Sequence, residues 1–366
     1  MLTNTPGREL YRLFGHSALR LKDPQNNIDI VFNYGTFDFN TSHFYLKFIR
    51  GNLKYFLSVY PFKYYKADID PFQTVYSQEL NLDFGQRKKL LQFLINNYKP
   101  DNRYYLYDFF YDNCSTRIRD ALKESLGSEV SFEYFQPQER KSFRELLHPY
   151  IKPLPWADLG VNLALGLPAD SIAKARQYMF LPDYLMDAFA VASVEEEGKM
   201  RPLVKETEVI AEGSHTTEIK SGTFLIPAPS VIFWILFLII ALVSLFEMRS
   251  KAHFLNIDKF FFGLFGLFGV FLLFLWKGTA HEVMEKNLNL LWAIPLHLPI
   301  ILLIGKKVFY KIKWLHRFYF TLTLIVTGLF VVSYKLLPQG IHVAVIPLAL
   351  ILVVRSLKLV MKAKKE

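Results

Sequence analysis

Cysteine is almost missing from this chain: of 366 residues, only Cys114 carries a thiol. A single cysteine excludes an intrachain disulfide, and one cysteine with scattered histidines matches no metal-ligand spacing, so neither a metal nor another cofactor is expected. The start, Met1-Leu2-Thr3-Asn4-Thr5-Pro6-Gly7, lacks the charged region and apolar core of an export leader. Internal repeats and low-complexity tracts are absent. Acidic residues are also short: 33 Asp and Glu face 43 Lys and Arg, a net charge of +10. That excess does not call for a nucleic acid, because most of it sits in loops between long apolar runs.

Those runs divide the chain into unlike halves. Hydrophobic residues make up 52% of the whole and the mean hydropathy is +0.18, yet residues 1–222 read as ordinary polar globular sequence. The change falls at Phe224-Leu225-Ile226-Pro227. After it come five runs read as membrane spans, at Ser230–Met248, Phe260–Trp276, Leu290–Ile304, Phe318–Leu336 and Ile341–Val354. The third and fifth are short enough to be tilted or re-entrant, and four spans is the alternative count. Cations gather in alternate loops: Arg249, Lys251 and Lys259; then Lys306, Lys307, Lys311, Lys313 and Arg317; then Arg355, Lys358, Lys362, Lys364 and Lys365. Basic loops stay on the cytoplasmic side, which puts residues 1–222 on the far side. An exported domain needs a leader, so one is expected upstream of Met1, and a strand ahead of Leu2 with it.

In the exported part, Leu13–Leu21 and Ile28–Tyr34 read as two strands joined by the turn Asp23-Pro24-Gln25-Asn26-Asn27. Pairing Leu21 with Ile28 sets His16 opposite Asn33, Ala18 opposite Val31 and Arg20 opposite Asp29. A one-residue slip would bring Tyr34 to His16 instead. Strands are also expected at Tyr55–Val59 and Thr74–Leu80, and helices at Thr41–Arg50 and Phe84–Tyr98. Asp112 or Asn113 can cap a helix from Cys114 to Leu126 with Ile118, Ala121, Leu122 and Leu126 on its apolar face, stopped by Gly127. Residues 1–128 therefore read as one α+β domain, 129–194 as a helical extension, 195–222 as a linker or loose hairpin, and 223–366 as a helical multi-pass membrane domain.

A cysteine on type alone is most often a small buried hydrophobe. The first turn of a helix changes that reading, because its unpaired N–H groups and partial positive charge favour a thiolate and offer donors to an oxyanion. A histidine on a neighbouring strand supplies a base. Cys114 is thus the expected nucleophile and His16 its base, oriented by Asn33 or Tyr34, with His43 as the alternative base. Arg117, one turn on, is placed either in a salt bridge or against a lipid phosphate. In the membrane half, His281, Asn289, Trp292 and His297 stand out as polar groups at or within a span, where they are costly and usually face a cavity; Trp292 also suits an interfacial belt.

Four stretches together resemble a known family: Leu10-Tyr11-Arg12-Leu13-Phe14-Gly15-His16-Ser17-Ala18-Leu19-Arg20, Asn33-Tyr34-Gly35-Thr36-Phe37-Asp38-Phe39, Tyr107-Asp108-Phe109-Phe110-Tyr111-Asp112-Asn113-Cys114-Ser115-Thr116-Arg117 and Asn287-Leu288-Asn289-Leu290-Leu291-Trp292. They are similar to the Lnb-type proteins, which have an exported N-terminal domain and a C-terminal membrane domain. The resemblance implies a multi-pass protein of the bacterial inner (cytoplasmic) membrane with its catalytic domain on the periplasmic side. It implies a lipoprotein N-acyltransferase that moves an acyl chain from a phospholipid donor, through a Cys114 thioester, to the N-terminal amine of a diacylglyceryl lipoprotein. The histidine-before-cysteine order also resembles the circularly permuted papain-like fold of lecithin:retinol acyltransferase. Two other classes compete: a membrane-anchored cysteine hydrolase (phospholipase, or cell-wall amidase or peptidase), and a non-enzymatic receptor or assembly factor with Cys114 merely buried.

Overall fold

The computed structural model describes residues 1–214, 226–250, 252–305 and 313–365. The chain divides into two compact units, Met1–Tyr150 with Ile172–Thr223 and Ile151–Ser171 with Phe224–Glu366.

The first unit is built on strands β1 (Leu2–Asn4), β2 (His16–Asp23) and β3 (Ile28–Thr36), then helix α1 (Phe44–Ile49), β4 (Lys54–Pro61), α2 (Phe62–Ala67), β5 (Val75–Leu80), α3 (Phe84–Tyr98), β6 (Tyr104–Leu106), α4 (Cys114–Leu126), β7 (Val130–Ser131) and α5 (Phe143–Ile151). Helix α6 (Pro155–Ala164) belongs to the second unit; α7 (Ala175–Tyr178), α8 (Pro182–Val191), β8 (Ser193–Glu196), β9 (Lys199–Pro202) and β10 (Val204–Ala211) return to the first. Seven strands form one antiparallel sheet in the order β10-β5-β1-β2-β3-β4-β6, and β7-β8-β9 form a small second one. On one face of the large sheet Leu2, Ala18, Val31 and Val75 bury with Tyr65 of α2.

The β2–β3 register differs from the expected one by two residues: Leu21 pairs with Ile30 and Asp23 with Ile28. The turn explains the difference, since the Asp23 carboxylate caps the N–H groups of Gln25 and Asn26 and so keeps Asp23 inside the ladder. Because side chains alternate with a period of two, this shift leaves every residue on its expected face. Arg20 still forks onto Asp29, both bonds at 2.7 Å, now across the diagonal.

Helix α4 follows its expected bounds. Asn113 caps it, its Oδ1 accepting from the N–H of Ser115 at 2.9 Å and of Thr116 at 3.0 Å, and Gly127 at φ 59° ends it. Ile118, Ala121, Leu122 and Leu126 are buried and α4 lies against β2 and β3. Of the expected linker, β8 and β9 form a hairpin, and β10 adds an edge strand to the large sheet. Most of β10 is exposed, so no alternation of apolar residues marked it as a strand.

The second unit contains α6, α9 (Pro229–Arg249), α10 (Leu255–Lys277), α11 (His297–Ile300), α12 (Lys313–Ser333) and α13 (Val345–Lys365). Among the described residues three helices are long and apolar enough to cross a membrane: Pro229–Arg249, Leu255–Lys277 and Trp314–Ser333. Leu290–Ile304, expected as a span or a re-entrant segment, is broken backbone: a 3-10 turn at Leu288–Leu291, the four-residue α11, and turns to Gly305. Pro295 and Pro299 each remove a helix donor there. Broken backbone among apolar helices is tolerated when protein buries it, and α10 makes the room. A Cβ on Gly266 would lie 2.4 Å from Leu298 N, and one on Gly269 2.1 Å from Ala293 O.

The fifth expected span starts later and runs further, as α13. Its Arg355 and Lys358, counted above as loop cations, are buried against Glu247 and Asp258: Arg355 Nε is 2.6 Å from Asp258, and Lys358 Nζ is 2.8 and 2.9 Å from the two carboxylates. Lys251, Lys306, Lys307 and Lys311, the Phe224-Leu225 boundary and residues 215–222 of the expected linker lie outside the described residues.

Candidate active site

Three elements converge at Cys114. It is the first residue of α4, and His16 is the first residue of β2, preceded by Gly15 at φ 77° where a Cβ would meet Asn4 O at 2.5 Å. Only glycine fits that turn without strain. Gly35, near the end of β3 at φ 89°, faces the thiol, with the place of its absent Cβ 3.7 Å from Cys114 Cβ.

The imidazole of His16 lies near enough to Cys114 for each group to shift the other's pKa through charge and a hydrogen bond. Its Nε2 lies 2.6 Å from Asn33 Oδ1, and Asn33 Nδ2 in turn donates to Tyr60 Oη at 3.0 Å. The amide nitrogen is committed to Tyr60, so Oδ1 accepts from Nε2–H and Nδ1 is left for the sulfur. Ser17 and Ser115 tie β2 to α4 from the adjoining positions, Oγ to Oγ at 3.0 Å, both fully buried.

The electrostatics favour proton transfer within the pair. Burial alone would raise the Cys114 thiol, but the charge and hydrogen bond of His16 outweigh it, and the pKa falls below the ordinary thiol value. Burial alone would lower His16, but Cys114 and then Asn33 outweigh it, and the pKa rises. Opposite shifts in this pair bring thiol and imidazole closer in pKa and ease the transfer of the thiol proton to His16. Of the first-turn N–H groups, those of Ser115 and Thr116 are taken by the Asn113 cap. That leaves the Cys114 amide as the donor at the helix start for an oxyanion.

The other expected site residues fall elsewhere. Tyr34 does not orient His16: its hydroxyl donates to Asn97 of α3 at 2.7 Å. Arg117 forks onto Asp112, with Nη2 to Oδ2 at 2.6 Å, and its guanidinium sits 4.0 Å over the Tyr105 ring, so its charge is already answered. His43 is exposed, at φ 56° just before α1.

In the second unit Asn289, Trp292 and His297 do come together, as links in one buried chain. Asn287 Nδ2 donates to Leu163 O at 2.7 Å, Asn289 Nδ2 to Asn287 Oδ1 at 2.9 Å, and Trp292 Nε1 to Asn289 Oδ1 at 3.1 Å. His297 then spans Trp292 O at 3.3 Å and Tyr319 Oη at 2.6 Å. Their polar atoms brace the broken segment. His281 stands before a 3-10 turn, Glu282–Met284, its N–H donating to Thr279 Oγ1 at 3.3 Å.

Sequence reasoning missed Tyr60, Ser115 and Gly35. Tyr60 was within reach, since it lies two residues beyond Ser58, the β4 partner of Asn33. The Ser17–Ser115 contact joins elements far apart in sequence and left no local signal. A cavity of about 300 Å³ elsewhere in this unit is lined by Arg119, Lys123, Phe132, Phe135 and Met179 among others. Its rim charges Arg119, Asp120 and Arg176 pair with one another, and neither His16 nor Cys114 lines it.

A sheet-borne imidazole and a helix-start thiol, in a chain with apolar spanning-length helices, define a membrane-associated protein with the parts of a thiol nucleophile. Residues 1–147 match the Lnb N-terminal periplasmic domain and residues 219–366 the Lnb transmembrane domain. The chain belongs to the Lnb family. Membership points to a lipoprotein N-acyltransferase-like role, with a periplasmic N-terminal part and a membrane domain. No curated protein and no solved structure matches the chain.

Proposed function

We propose that this protein is a cysteine-dependent acyltransferase that moves an acyl chain from a membrane phospholipid to the N-terminal amine of diacylglyceryl-cysteine lipoproteins. The observation that carries the reading is the placement of His16, held by Asn33 Oδ1 at 2.6 Å at the start of β2, with the Cys114 thiol at the first residue of α4. The Cys114 thiolate attacks a phospholipid ester carbonyl while His16 holds the proton. The Cys114 N–H donates to the oxyanion. Collapse expels the lysophospholipid alkoxide, which takes the proton from His16 and leaves an acyl thioester. The free α-amine of the acceptor attacks that thioester and gives a proton to His16. The thiolate departs, the amide forms, and the pair is restored.

The histidine strand preceding the cysteine helix supports a circularly permuted papain-like reading of the first unit. The protein would sit in the bacterial inner membrane, spanning it several times, with this unit on the periplasmic side. Its membrane domain would keep the protein in the bilayer that carries both lipidic substrates.

The test is intact-mass spectrometry of the full-length protein mixed with phospholipid alone. An adduct with the mass of one acyl chain, released by neutral hydroxylamine and transferred on addition of a diacylglyceryl peptide, is expected. Steady release of free fatty acid with no transfer would make it a hydrolase instead. An unmodified Cys114 with no turnover would end the enzymatic reading.

A further inference from the structure

The connection from β3 to β4 leaves a group of large apolar side chains in the open. Helix α1 has no buried residue at all. Phe39 is 69% exposed, Tyr45 75%, Phe48 52%, Leu46 48% and Ile49 44%, all within eleven residues. Scattered apolar residues on a surface need no explanation, but a contiguous cluster does. His43 enters the helix in the left-handed region at φ 56°, which a non-glycine residue adopts at a cost, so the loop is held in this shape. Lys47, Arg50 and Lys54 stand on the same short stretch.

The cluster leads inward. Phe39 packs on Phe44 with centroids 4.9 Å apart, Phe44 on Phe37 at 5.8 Å, and Phe37 on Tyr55 at 5.4 Å. Tyr55 stacks on Tyr107 at 4.4 Å. Tyr107 lies on the stretch that leads from β6 to Cys114 at the start of α4. An unbroken run of rings thus joins the open face to Tyr107, and Gly35, whose absent Cβ would lie 3.7 Å from Cys114 Cβ, is two residues from Phe37.

We propose that the segment from Phe37 to Lys54 is a membrane-docking element, in which the exposed rings of α1 enter the phospholipid leaflet, the three cations meet lipid phosphates, and the ring path carries one acyl chain towards Cys114. Aromatic side chains favour the lipid–water boundary, and basic side chains beside them add attraction to anionic headgroups. A phospholipid surface is the occupant that answers both the rings and the cations, and this chain carries its own membrane domain. The proposal names the donor's entry into the site given above and rests on that reading.

Because Cys114 is the sole cysteine, Cys114→Ser gives a background in which one nitroxide reports one place. Full-length Tyr45→Cys and Phe48→Cys proteins on that background are reconstituted into vesicles of phosphatidylethanolamine and phosphatidylglycerol. Asn26→Cys, in the exposed β2–β3 turn, is the reference. Labels at 45 and 48 are expected to be relaxed by oxygen at least fivefold more, relative to a water-soluble nickel complex, than the label at 26. Equal nickel access at all three sites overturns the proposal, and so does a label at 45 shielded from both agents, as protein contact would make it. This measurement needs no turnover, so it stands whether or not acyl transfer is found. With Cys114 intact, Phe39→Asp/Tyr45→Asp is expected to slow thioester formation from vesicle phospholipid at least tenfold, with iodoacetamide labelling of Cys114 as the check on folding. An unchanged rate overturns the acyl path.

Discussion

Each unit holds a histidine between two partners, and the two differ in what those partners can do with a proton. His16 has a side-chain amide on one nitrogen and a thiol on the other. His297 has a backbone carbonyl on one and a phenol on the other. A carbonyl does not titrate, and a phenol does so only near pH 10. A thiol ordinarily titrates near 8.5, close enough to imidazole for the proton to change sides. Burial and saturation of hydrogen bonds therefore do not mark a working histidine. The titratable partner does.

The largest effect should come from removing that partner. Cys114→Ala and Cys114→Ser are each expected to abolish acyl transfer, a fall of about 10³-fold or more, while thermal unfolding changes little. Lipoprotein N-acylation surviving Cys114→Ala in a cell that depends on this protein would sink the mechanism.

His16→Ala should cost about 10² to 10⁴ in transfer rate. It also separates the two histidines by pH. With His16 present the thiol ionises below its ordinary value, so alkylation of Cys114 rises early on the pH scale. Without it only the smaller Ser17 and Ser115 contributions oppose burial, and the rise must move to higher pH. His297→Phe is expected to leave that profile where it is. A shift of equal size from His297→Phe would erase the contrast between the units.

The second unit should answer in stability. Asn289→Ala strands the Trp292 indole N–H, and His297→Phe strands Tyr319, each costing about 1–3 kcal/mol. Gly269→Ala drives a methyl to 2.1 Å from Ala293 O and forces the broken segment off α10, a cost of about 1–3 kcal/mol. All three lower the unfolding temperature in detergent. Asn289→Ala and His297→Phe also sharpen the functional question. A cavity-lining role would slow acyl transfer with Cys114 still reactive and stability unchanged, whereas the bonded chain predicts that any slowing follows the loss of stability.

The sequence was most legible where local rules act alone. Helices α3 and α4 fall on their expected bounds because a cap and a periodic apolar face define each, Asp83 with Leu90 and Leu94, Asn113 with Ile118 and Leu122. The pairing of Asn33 with His16 emerged despite a register displaced by two, since the period of a strand forgives an even error. Edge strand β10 and the three-residue β6 were illegible, because a short or exposed strand shows no alternation. The broken segment at 288–305 was read as a span for its apolar content, while its conformation is decided by prolines and by two glycines on a different helix. Arg117 and His297 were flagged for their chemistry, and only the tertiary fold supplies the Asp112 and Tyr319 that occupy them.

The smallest predicted effect is also the one that separates the two residues first considered as partners of His16. Tyr34 and Asn33 are adjacent on β3 and so point to opposite faces. Tyr34→Phe removes one hydroxyl whose bond goes to Asn97, at a cost of about 1 kcal/mol in stability. Its effect on the alkylation profile and on transfer rate should be within experimental scatter. Asn33→Ala leaves the fold's ladder intact but frees Nε2 of His16 from its Asn33 acceptor and leaves Tyr60 without the Asn33 amide donor. The imidazole then loses one of the contacts that raise its pKa, so His16 should hold its proton to a lower pH than in the parent. The thiol then loses part of the positive charge that holds it ionised, and its alkylation should rise later on the pH scale, in the direction of His16→Ala and short of it. If Tyr34→Phe moved the profile and Asn33→Ala did not, the face assignment of β3 at the site would be wrong, whatever the chemistry of Cys114.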